Sequence, residues 1–497
     1  MDEYRFRFGS SSPLLPKLRE KGRRRGQVSR CGREFTINYL TYNLGLAMMS
    51  PFVAAYMLNR YHGNSREGWH ERWGHLPDAL VRREGGKPRV WIHAVSAGEV
   101  VAAVPILREL RTLLPHYELL LSVITPAGRR MAEQQAAPYV DGIFYSPFDL
   151  PWAVRRAVAK IAPDVFVSLE SELWPNLLHD MKRIGAATVM VNGRISDKNF
   201  RRVQRVGGWL FRWMLSNMDR LLMQSALDAQ RIREIGKITE PGRVAVVGNS
   251  KFDQEIPRLS HLAVQTLRHA LHLPPDAPVF VAGSTRSPEE EAIVIESYLT
   301  MRQQIPELCL LIAPRQIDRA SELSGAMRSA GLEPVRKTEI DAAANSTDAS
   351  VTGEVRHLIL DTMGELVSVY AVATVVFVGN SFAPVNSGGG QNLLQPLAHG
   401  KPVLFGPLTA TTRAEAALTI EAGVGFRVEN GSELAREGLR LLHDPALCDE
   451  IASHALDLIA ANQGVSVRYA EAIRDLANRQ LRPVDRLTEA LPAPVSR

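Results

Sequence analysis

Cysteine is scarce in this chain, which has 497 residues but only three cysteines, Cys31, Cys309 and Cys448. An odd number of widely separated cysteines excludes a disulfide framework and favours reduced thiols in the cytosol. Metal-binding motifs are missing as well, since the sequence has no CxxC pair, no HExxH and no DxD. We therefore expect side chains and backbone amides, rather than a metal ion, to neutralise any anion that the protein binds.

A strong excess of charge of one sign is also missing. The chain has 59 basic and 53 acidic residues, a net charge of +6, and it has no helix-turn-helix cue, zinc-finger spacing or aromatic RNA-binding signature. We therefore expect no nucleic-acid partner. With 45% hydrophobic and 23% charged residues the composition is that of a globular protein, and the length fits two large domains best.

The amino-terminal region has an uneven charge pattern. Residues 1–35 hold ten lysines or arginines against four acids, and this basic head is predicted to be disordered. The next segment, 36–60, is apolar and uncharged up to Arg60, so it is long enough to cross a bilayer. Positive charge lies on both sides of it, and a signal anchor and a buried core helix remain alternatives. We favour a monotopic membrane-anchoring segment in the cytoplasmic leaflet.

Short apolar runs alternate with helical periodicity along the rest of the chain, which is typical of parallel strands joined by helices. The predicted strands of the first half are 90–94, 119–124, 142–145, 165–169, 187–191 and 221–224. After a junction within 246–278, the pattern restarts with strands at 279–282, 308–313, 358–360, 374–378 and 402–405. The sequence therefore predicts an α/β fold of two Rossmann-like doubly wound domains facing a cleft, 61–248 and 249–480, with a tail at 481–497.

Two acids, Glu99 and Glu170, follow predicted strands at points where helices begin. An open α/β sheet exposes the carboxyl ends of its strands as a crevice, where a carboxylate is placed for chemistry more readily than for packing. From position alone, Glu99 is explained equally well as a helix-capping acid, which the helix dipole stabilises by about 0.3 to 1 kcal/mol. Glu172 has the same alternative, as an acid of a first helical turn, and we leave it out of the predicted site.

Eight short motifs occur along the chain. They are HAVSAGE (93–99), TPAGRR (125–130), LESELWPN (169–176), NGRIS (192–196), GNSKFD (248–253), APR (313–315), DTMGEL (361–366) and GGGQNLLQP (388–396). In their joint order and spacing they closely resemble the 3-deoxy-D-manno-octulosonic acid (Kdo) transferases, over about residues 36–475. The resemblance implies a GT-B glycosyltransferase on the cytoplasmic side of the cell inner membrane. Such an enzyme moves Kdo from CMP-Kdo to a lipid A precursor with inversion, without a metal ion or other cofactor.

The resemblance also implies roles for single residues. It places the general base on Glu99, the acid that stabilises the transition state on Glu170, and the lysine beside the leaving phosphate on Lys251. These roles suit the reaction, because a positioned carboxylate can take the proton of the acceptor hydroxyl. A second, fixed carboxylate lowers the barrier while positive charge spreads over the sugar ring.

The resemblance implies a CMP donor site in the second domain. The matching residues are Pro314, Arg315, Met363, Gly364, Glu365, Asn392, Leu393, Leu394 and Gln395. Backbone amides at helix starts and glycine turns can bind phosphate there. Gln395 departs from the family's usual glutamate, which accepts hydrogen bonds from the nucleotide ribose, so we expect weakened donor binding.

Several alternatives remain open. Residues 198–215 interleave arginines with Trp209, Phe211 and Trp213, which suits a phosphorylated glycolipid at a membrane surface or an ordinary amphipathic surface helix. The chain could also be another GT-B transferase that uses a different nucleotide sugar, such as a UDP-sugar. A third reading is a membrane-tethered CMP-sugar-binding module with little turnover, which Gln395 would favour.

Overall fold

A computed structural model describes residues 38–52, 67–205, 208–344, 353–382 and 389–480. By its contacts the chain divides into two units, 1–57 and 58–497. In the first unit, residues 38–52 are helical, and several large apolar side chains of this helix are exposed, namely Leu40, Leu44, Met48, Met49 and Phe52. None of the helices in the described ranges is long and apolar enough to cross a bilayer. The predicted head and tail lie outside the described residues, and the anchoring role of 36–60 stays a prediction.

The first sheet of the second unit has seven parallel strands. They are β1 (Arg89–His93), β2 (Glu118–Val123), β3 (Gly142–Tyr145), β4 (Val165–Leu169), β5 (Ala187–Gly193), β6 (Arg220–Met223) and β7 (Val244–Val246). Their order is β3-β2-β1-β4-β5-β6-β7, and Ile92 in β1 stands opposite Leu121 in β2 and Val167 in β4. Every residue of β1 and β4 is buried, because a parallel sheet is covered on both faces.

The second sheet also has seven parallel strands. They are β8 (Val279–Thr285), β9 (Cys309–Pro314), β10 (Val335–Arg336), β11 (His357–Ile359), β12 (Val375–Val378), β13 (Val403–Phe405) and β14 (Gly425–Arg427). Their order is β10-β11-β9-β8-β12-β13-β14. The two sheets confirm the predicted doubly wound α/β fold, and each predicted strand is present. The short strands β7, β10 and β14 were not predicted.

Helices connect the strands. The longer ones are Ala97–Leu113, Pro126–Met131, Pro151–Ile161, Pro175–Arg183, Asp197–Arg205, Gly208–Ser216, Ala226–Gly236, His261–Ala270, Pro288–Arg302, Ala320–Ser329, Lys337–Ala344, Arg413–Glu421, Gly431–Leu442, Pro445–Ala461 and Val465–Gln480. Shorter helical turns are Trp69–Arg72, Asp78–Leu80, Ala132–Ala136, Ala137–Tyr139, Ser250–Asp253, Ile317–Arg319, Leu366–Val369, Tyr370–Val372 and Leu394–Ala398.

Local capping interactions set the first residues of several helices. For example, the Ser287 hydroxyl accepts a hydrogen bond from the Glu290 amide, and Pro288 occupies the first helical position.

The last helix, Val465–Gln480, packs into the core of the first sheet, although by sequence it falls within the predicted second domain. Tyr469 and Ile473 are fully buried among residues of that core, including Leu107 of the helix Ala97–Leu113. The chain therefore crosses between the two sheets twice, once after β7 and once before Val465. Both crossings lie close together, because Asp253 accepts hydrogen bonds from the amides of Gly464 and Ser466 at 2.6 and 2.5 Å.

Candidate active site

Glu99 and Glu170 lie at the point where the strand order of the first sheet reverses. β1 and β4 are adjacent strands, yet the chain leaves them in opposite directions across the sheet. Glu99 belongs to the helix that follows β1, here named the Glu99 helix (Ala97–Leu113), and Glu170 directly follows β4. Such a switch point opens a crevice outside the carboxyl ends of the strands. The structure therefore brings the two predicted acids to one edge of one sheet.

The Glu99 carboxylate is held by its own helix start. It accepts hydrogen bonds from the Val95 amide at 2.8 Å and from the Ser96 hydroxyl at 3.1 Å. Only 8% of Glu99 is exposed. Burial raises the pKa of Glu99 to about 8, the charges of Glu170 and Glu172 add to the rise, and the two hydrogen bonds oppose it. In its ionised form, a carboxylate with such a pKa is a stronger base than an ordinary glutamate, and the ionised form becomes the main one above about pH 8.

Glu170 lies between two cations. Its backbone is in the left-handed region, with φ of 53°, which turns the chain sharply out of β4. One carboxylate oxygen accepts a hydrogen bond from Arg194 Nε at 2.7 Å, and the other lies 3.8 Å from Lys251 Nζ. The side chain of Glu170 is 7% exposed, so the carboxylate that both cations share is largely withdrawn from water. Arg194 follows β5 in the NGRIS motif and was not predicted as a site residue.

Glu172, which the sequence analysis left out, belongs to the same acidic cluster. Burial raises its pKa, and the charge of Glu170 adds to the rise. Its charge in turn raises the pKa of Glu99. The site thus contains three carboxyl groups, Glu99, Glu170 and Glu172, beside two cations. In the sequence, Glu172 stands only two residues after Glu170, and this closeness was the signal that could have placed it in the site. The segment forms a turn rather than a helix.

Lys251 lies in the turn Ser250–Asp253, which is hydrogen-bonded to the Glu99 helix and to the end of β5. Ser250 donates its hydroxyl to the carbonyl oxygen of Ala102 in the Glu99 helix at 2.8 Å. Its amide donates to Asn192 Oδ1 at 3.1 Å, at the end of β5. Asn192 also has a left-handed backbone, with φ of 53°. These bonds fix the lysine relative to both Glu99 and Glu170.

The predicted donor residues lie at the carboxyl edge of the second sheet. Pro314 ends β9, and the amide of the exposed Arg315 donates to the carbonyl of Thr285 in β8 at 2.7 Å. Met363 and Gly364 form an exposed turn after β11, with φ of 90° at Gly364. Glu365 directly precedes the next helix, Leu366–Val369, which is only one turn long.

The glycine motif forms a second turn on this edge. Gly389 and Gly390 have φ values of 49° and 94°, and a side chain at Gly390 would collide with Thr412. The buried Leu393 and Leu394 follow. The Asn392 side chain accepts a hydrogen bond from the Leu394 amide at 3.0 Å, at the first residue of the helix Leu394–Ala398, which carries the half-buried Gln395. We name this element the donor helix.

Polar contacts join the edges of the two sheets. Arg194 Nη1 donates to the carbonyl of Thr411 at 2.8 Å, and Arg413 pairs with Asp197 at 2.7 Å. A cavity of about 340 Å³ lies between these contacts and is lined by both domains, Arg194 and Thr411 included. Its size suits part of a nucleotide sugar or its acceptor. Through Arg194 the cavity adjoins the acidic cluster, and through Thr411 it adjoins the turn at Gly389 and Gly390.

The expectation for residues 198–215 can be compared with the structure. The described part of residues 198–215 lies in the helices Asp197–Arg205 and Gly208–Ser216. Trp213 is 3% exposed, so this tryptophan belongs to the core and not to an interaction surface. Trp209 is 43% exposed. Among the described residues, no three His, Cys, Asp or Glu side chains are grouped so as to hold a metal ion.

The two sheets define a fold class, that of proteins built from two parallel-sheet α/β domains. A solved glycosyltransferase from Rickettsia africae ESF-5 has this fold; it matches with a TM-score of 0.54 at 13% identity, over 79% of this chain and 99% of that one. The family described as 3-deoxy-D-manno-octulosonic-acid transferase matches residues 67–254.

A relative that matches this chain over nearly the full length of both proteins narrows the class to one family. A 3-deoxy-D-manno-octulosonic acid transferase of Bordetella pertussis is 31% identical over 87% of this chain and 98% of its own. A bifunctional glycosyltransferase/methyltransferase of Fusobacterium nucleatum is also 31% identical, but this chain spans only about half of its length, 51%. The chain belongs to the Kdo transferase family and is a glycosyltransferase.

Proposed function

We propose that this chain transfers Kdo from CMP-Kdo to a lipid A precursor, with inversion and without a metal ion, at the cytoplasmic face of the inner membrane. The observation that carries the proposal is that Glu99, whose pKa is raised to about 8, and Glu170, whose carboxylate is flanked by Lys251, lie at the same switch point. A base and a charge-stabilising pair at one switch point are what an inverting transfer requires.

The reaction runs as a single displacement. Glu99 takes the proton of an acceptor hydroxyl, whose oxygen forms a bond to the anomeric carbon from the face opposite the phosphate. The bond from that carbon to the phosphate oxygen breaks, and its electron pair leaves with CMP. Lys251 and Arg315 stabilise the negative charge on the departing phosphate, while Glu170 stabilises the positive charge that develops on the sugar ring. Gly364 and the donor helix supply backbone amides for the nucleotide.

The acceptor and the membrane enter the proposal through the first unit and the first domain. The exposed apolar side chains of residues 38–52 suit the surface layer of a bilayer. Arg201, Arg202 and Arg205 are exposed on the helix Asp197–Arg205, which starts at the cleft. These positive charges suit the phosphates of a lipid A precursor and an anionic membrane surface.

The decisive experiment follows product mass after CMP-Kdo, generated in situ, is mixed with a tetraacylated lipid A precursor in detergent. We expect a mass increase of one or more Kdo units. Intact CMP binding with no transfer would support the binding-module alternative. Protection by UDP but not by CMP would support a transferase that uses a different nucleotide sugar.

The rate of transfer should depend on pH through Glu99. Because its pKa is raised to about 8, Glu99 is mostly protonated at lower pH and cannot accept the hydroxyl proton. We expect kcat to rise about tenfold per pH unit below that pKa and to level off above it. The measurement is kcat between about pH 6 and 9, with CMP binding over the same range as the control. A flat profile would exclude a protonated Glu99 in the reacting complex.

Gln395→Glu should tighten donor binding. Glutamate restores the charge with which relatives of this family hold the nucleotide ribose, and the gain is expected to be about fivefold in CMP affinity, or about 1 kcal/mol. Isothermal titration with CMP measures it, and Gln391→Glu, in the preceding turn, is the control for charge alone. Equal affinities of Gln395→Glu and wild type would mean that this side chain does not touch the nucleotide.

A further inference from the structure

Arg194 makes two directional contacts that belong to different domains. Its Nε donates to Glu170 at 2.7 Å in the first domain, and its Nη1 donates to the carbonyl of Thr411 at 2.8 Å in the second. The side chain is 32% exposed, and the carboxylate that it holds is 7% exposed. A planar guanidinium can serve both acceptors at once, which a lysine ammonium on a flexible stem cannot do with the same geometry.

Thr411 carries this contact to the glycine turn. Its hydroxyl lies 2.7 Å from the carbonyl oxygen of Gly389 and 3.0 Å from that of Gly390. Its amide donates to Gly389 as well, at 3.0 Å. The turn leads within two residues to Asn392, whose side chain accepts a hydrogen bond from the first amide of the donor helix. A chain of hydrogen bonds thus runs from Glu170 through Arg194 and Thr411 to the glycine turn, which directly precedes the donor helix.

We propose that Arg194 is the positioning residue that couples the Glu170 carboxylate to the glycine turn of the donor site. Seating the nucleotide against Gly389 and Gly390 fixes Thr411, Thr411 fixes the guanidinium, and the guanidinium orients Glu170 toward the sugar. This inference rests on the proposed function, since it takes the glycine turn as the donor site. It adds a link between donor binding and the geometry of the reacting groups.

Arg413 offers a matched comparison. It also bridges the two domains, through Asp197 at 2.7 Å and Asp228 at 3.6 Å, and at 30% its exposure is close to that of Arg194. It makes no contact with Glu170 or with the glycine turn among the described residues. Variants at Arg413 therefore report what a loss of interdomain pairing does by itself.

The charge of Arg194 reaches Glu99 as well. The charged groups that face Glu99 are Glu170 and Glu172 after β4 and Arg194 after β5. Lys251, from the turn packed on the Glu99 helix, pairs with Glu170 instead. Removing the guanidinium charge leaves the carboxylates unopposed on that side, so the pKa of Glu99 should rise further.

The test compares Arg194→Lys, Arg194→Gln and Thr411→Val with Arg413→Lys and Arg413→Gln in the full-length protein. The readouts are CMP affinity by calorimetry, kcat and donor KM for Kdo transfer, and the pH dependence of kcat. We expect both Arg194 variants to lower kcat about 100-fold through misplacement of Glu170. We expect them to weaken CMP binding about fivefold, since coupled sites lose affinity together. Only Arg194→Gln should move the rise of kcat to higher pH.

A double-mutant cycle between Arg194→Lys and Thr411→Val tests the path itself. Both act on one chain of bonds, so their effects on kcat should be less than additive. Wild-type kcat and CMP affinity in Arg194→Lys, losses equal to those of Arg413→Lys, or full additivity would each overturn the inference. If wild type binds CMP but transfers no Kdo, the proposed function fails, while the calorimetry still decides the coupling. If wild type binds no CMP, both fail.

Discussion

The Glu99→Gln variant is expected to lose Kdo transfer almost completely, with kcat lower by about 10² to 10⁴, the range that a positioned general base contributes. Glutamine keeps the shape of the side chain and can still accept the hydrogen bond from Val95, but it cannot take a proton. CMP affinity should stay close to wild type, because Glu99 belongs to the domain of the first sheet and the donor residues belong to the domain of the second. Transfer is measured by product mass and CMP binding by calorimetry.

Glu109→Gln is the matched control for this variant. Glu109 lies on the same helix, pairs with Arg108 at 3.2 Å, and is partly buried, yet it is far along the helix from the switch point. The same chemical change there should leave transfer and its pH dependence unaltered. A Glu99→Gln protein that transfers Kdo at a rate near wild type would remove Glu99 from the mechanism.

The fold was predictable because parallel strands buried on both faces form continuous apolar runs. β4, for instance, is buried at every position, and its bounds were predicted without error. The three strands that were missed, β7, β10 and β14, are all at the edges of their sheets. These three strands have only two or three residues each and are partly exposed, as at Val246 and Arg427, so their sequence patterns are weak.

Site residues could be predicted where they follow a strand within a local motif. They could not be predicted where their role depends on contacts with residues distant in the sequence. Glu99, Glu170 and Lys251 stand in local motifs that resemble one family. Arg194 also follows a strand, but its partners are 24 and 217 residues away, and no local pattern indicates which acceptors its guanidinium finds. The last helix shows the same limit, since amphipathic periodicity indicates a buried face but not which sheet covers it. The catalytic and donor-binding roles of the predicted residues stay predictions.

Glu170→Gln is expected to lower kcat by about 10² to 10³, the loss seen when one fixed charge-stabilising group is removed from a transition state. The amide leaves Arg194 and Lys251 without their carboxylate, so the developing positive charge on the sugar meets two cations. The pH dependence should shift as well. The charge of Glu170 raises the pKa of Glu99, so its removal lowers that pKa and moves the rise of kcat to lower pH. Rates of transfer across the pH range measure both effects.

Glu172→Gln separates the two effects, because Glu172 also raises the pKa of Glu99 but makes no ion pair with Lys251 among the described residues. It should move the rise of kcat in the same direction as Glu170→Gln, with a much smaller loss on the plateau at high pH. Arg194→Gln should move it in the opposite direction, since it removes a positive charge instead of a negative one. Suppose that the rise of kcat moves in opposite directions in the Glu170 and Arg194 variants, while both variants lose kcat on the plateau at high pH. Transfer would then require the ion pair between Glu170 and Arg194, rather than only the electric field of the cluster. Equal plateau losses in Glu170→Gln and Glu172→Gln would instead mean that any charge of the cluster suffices.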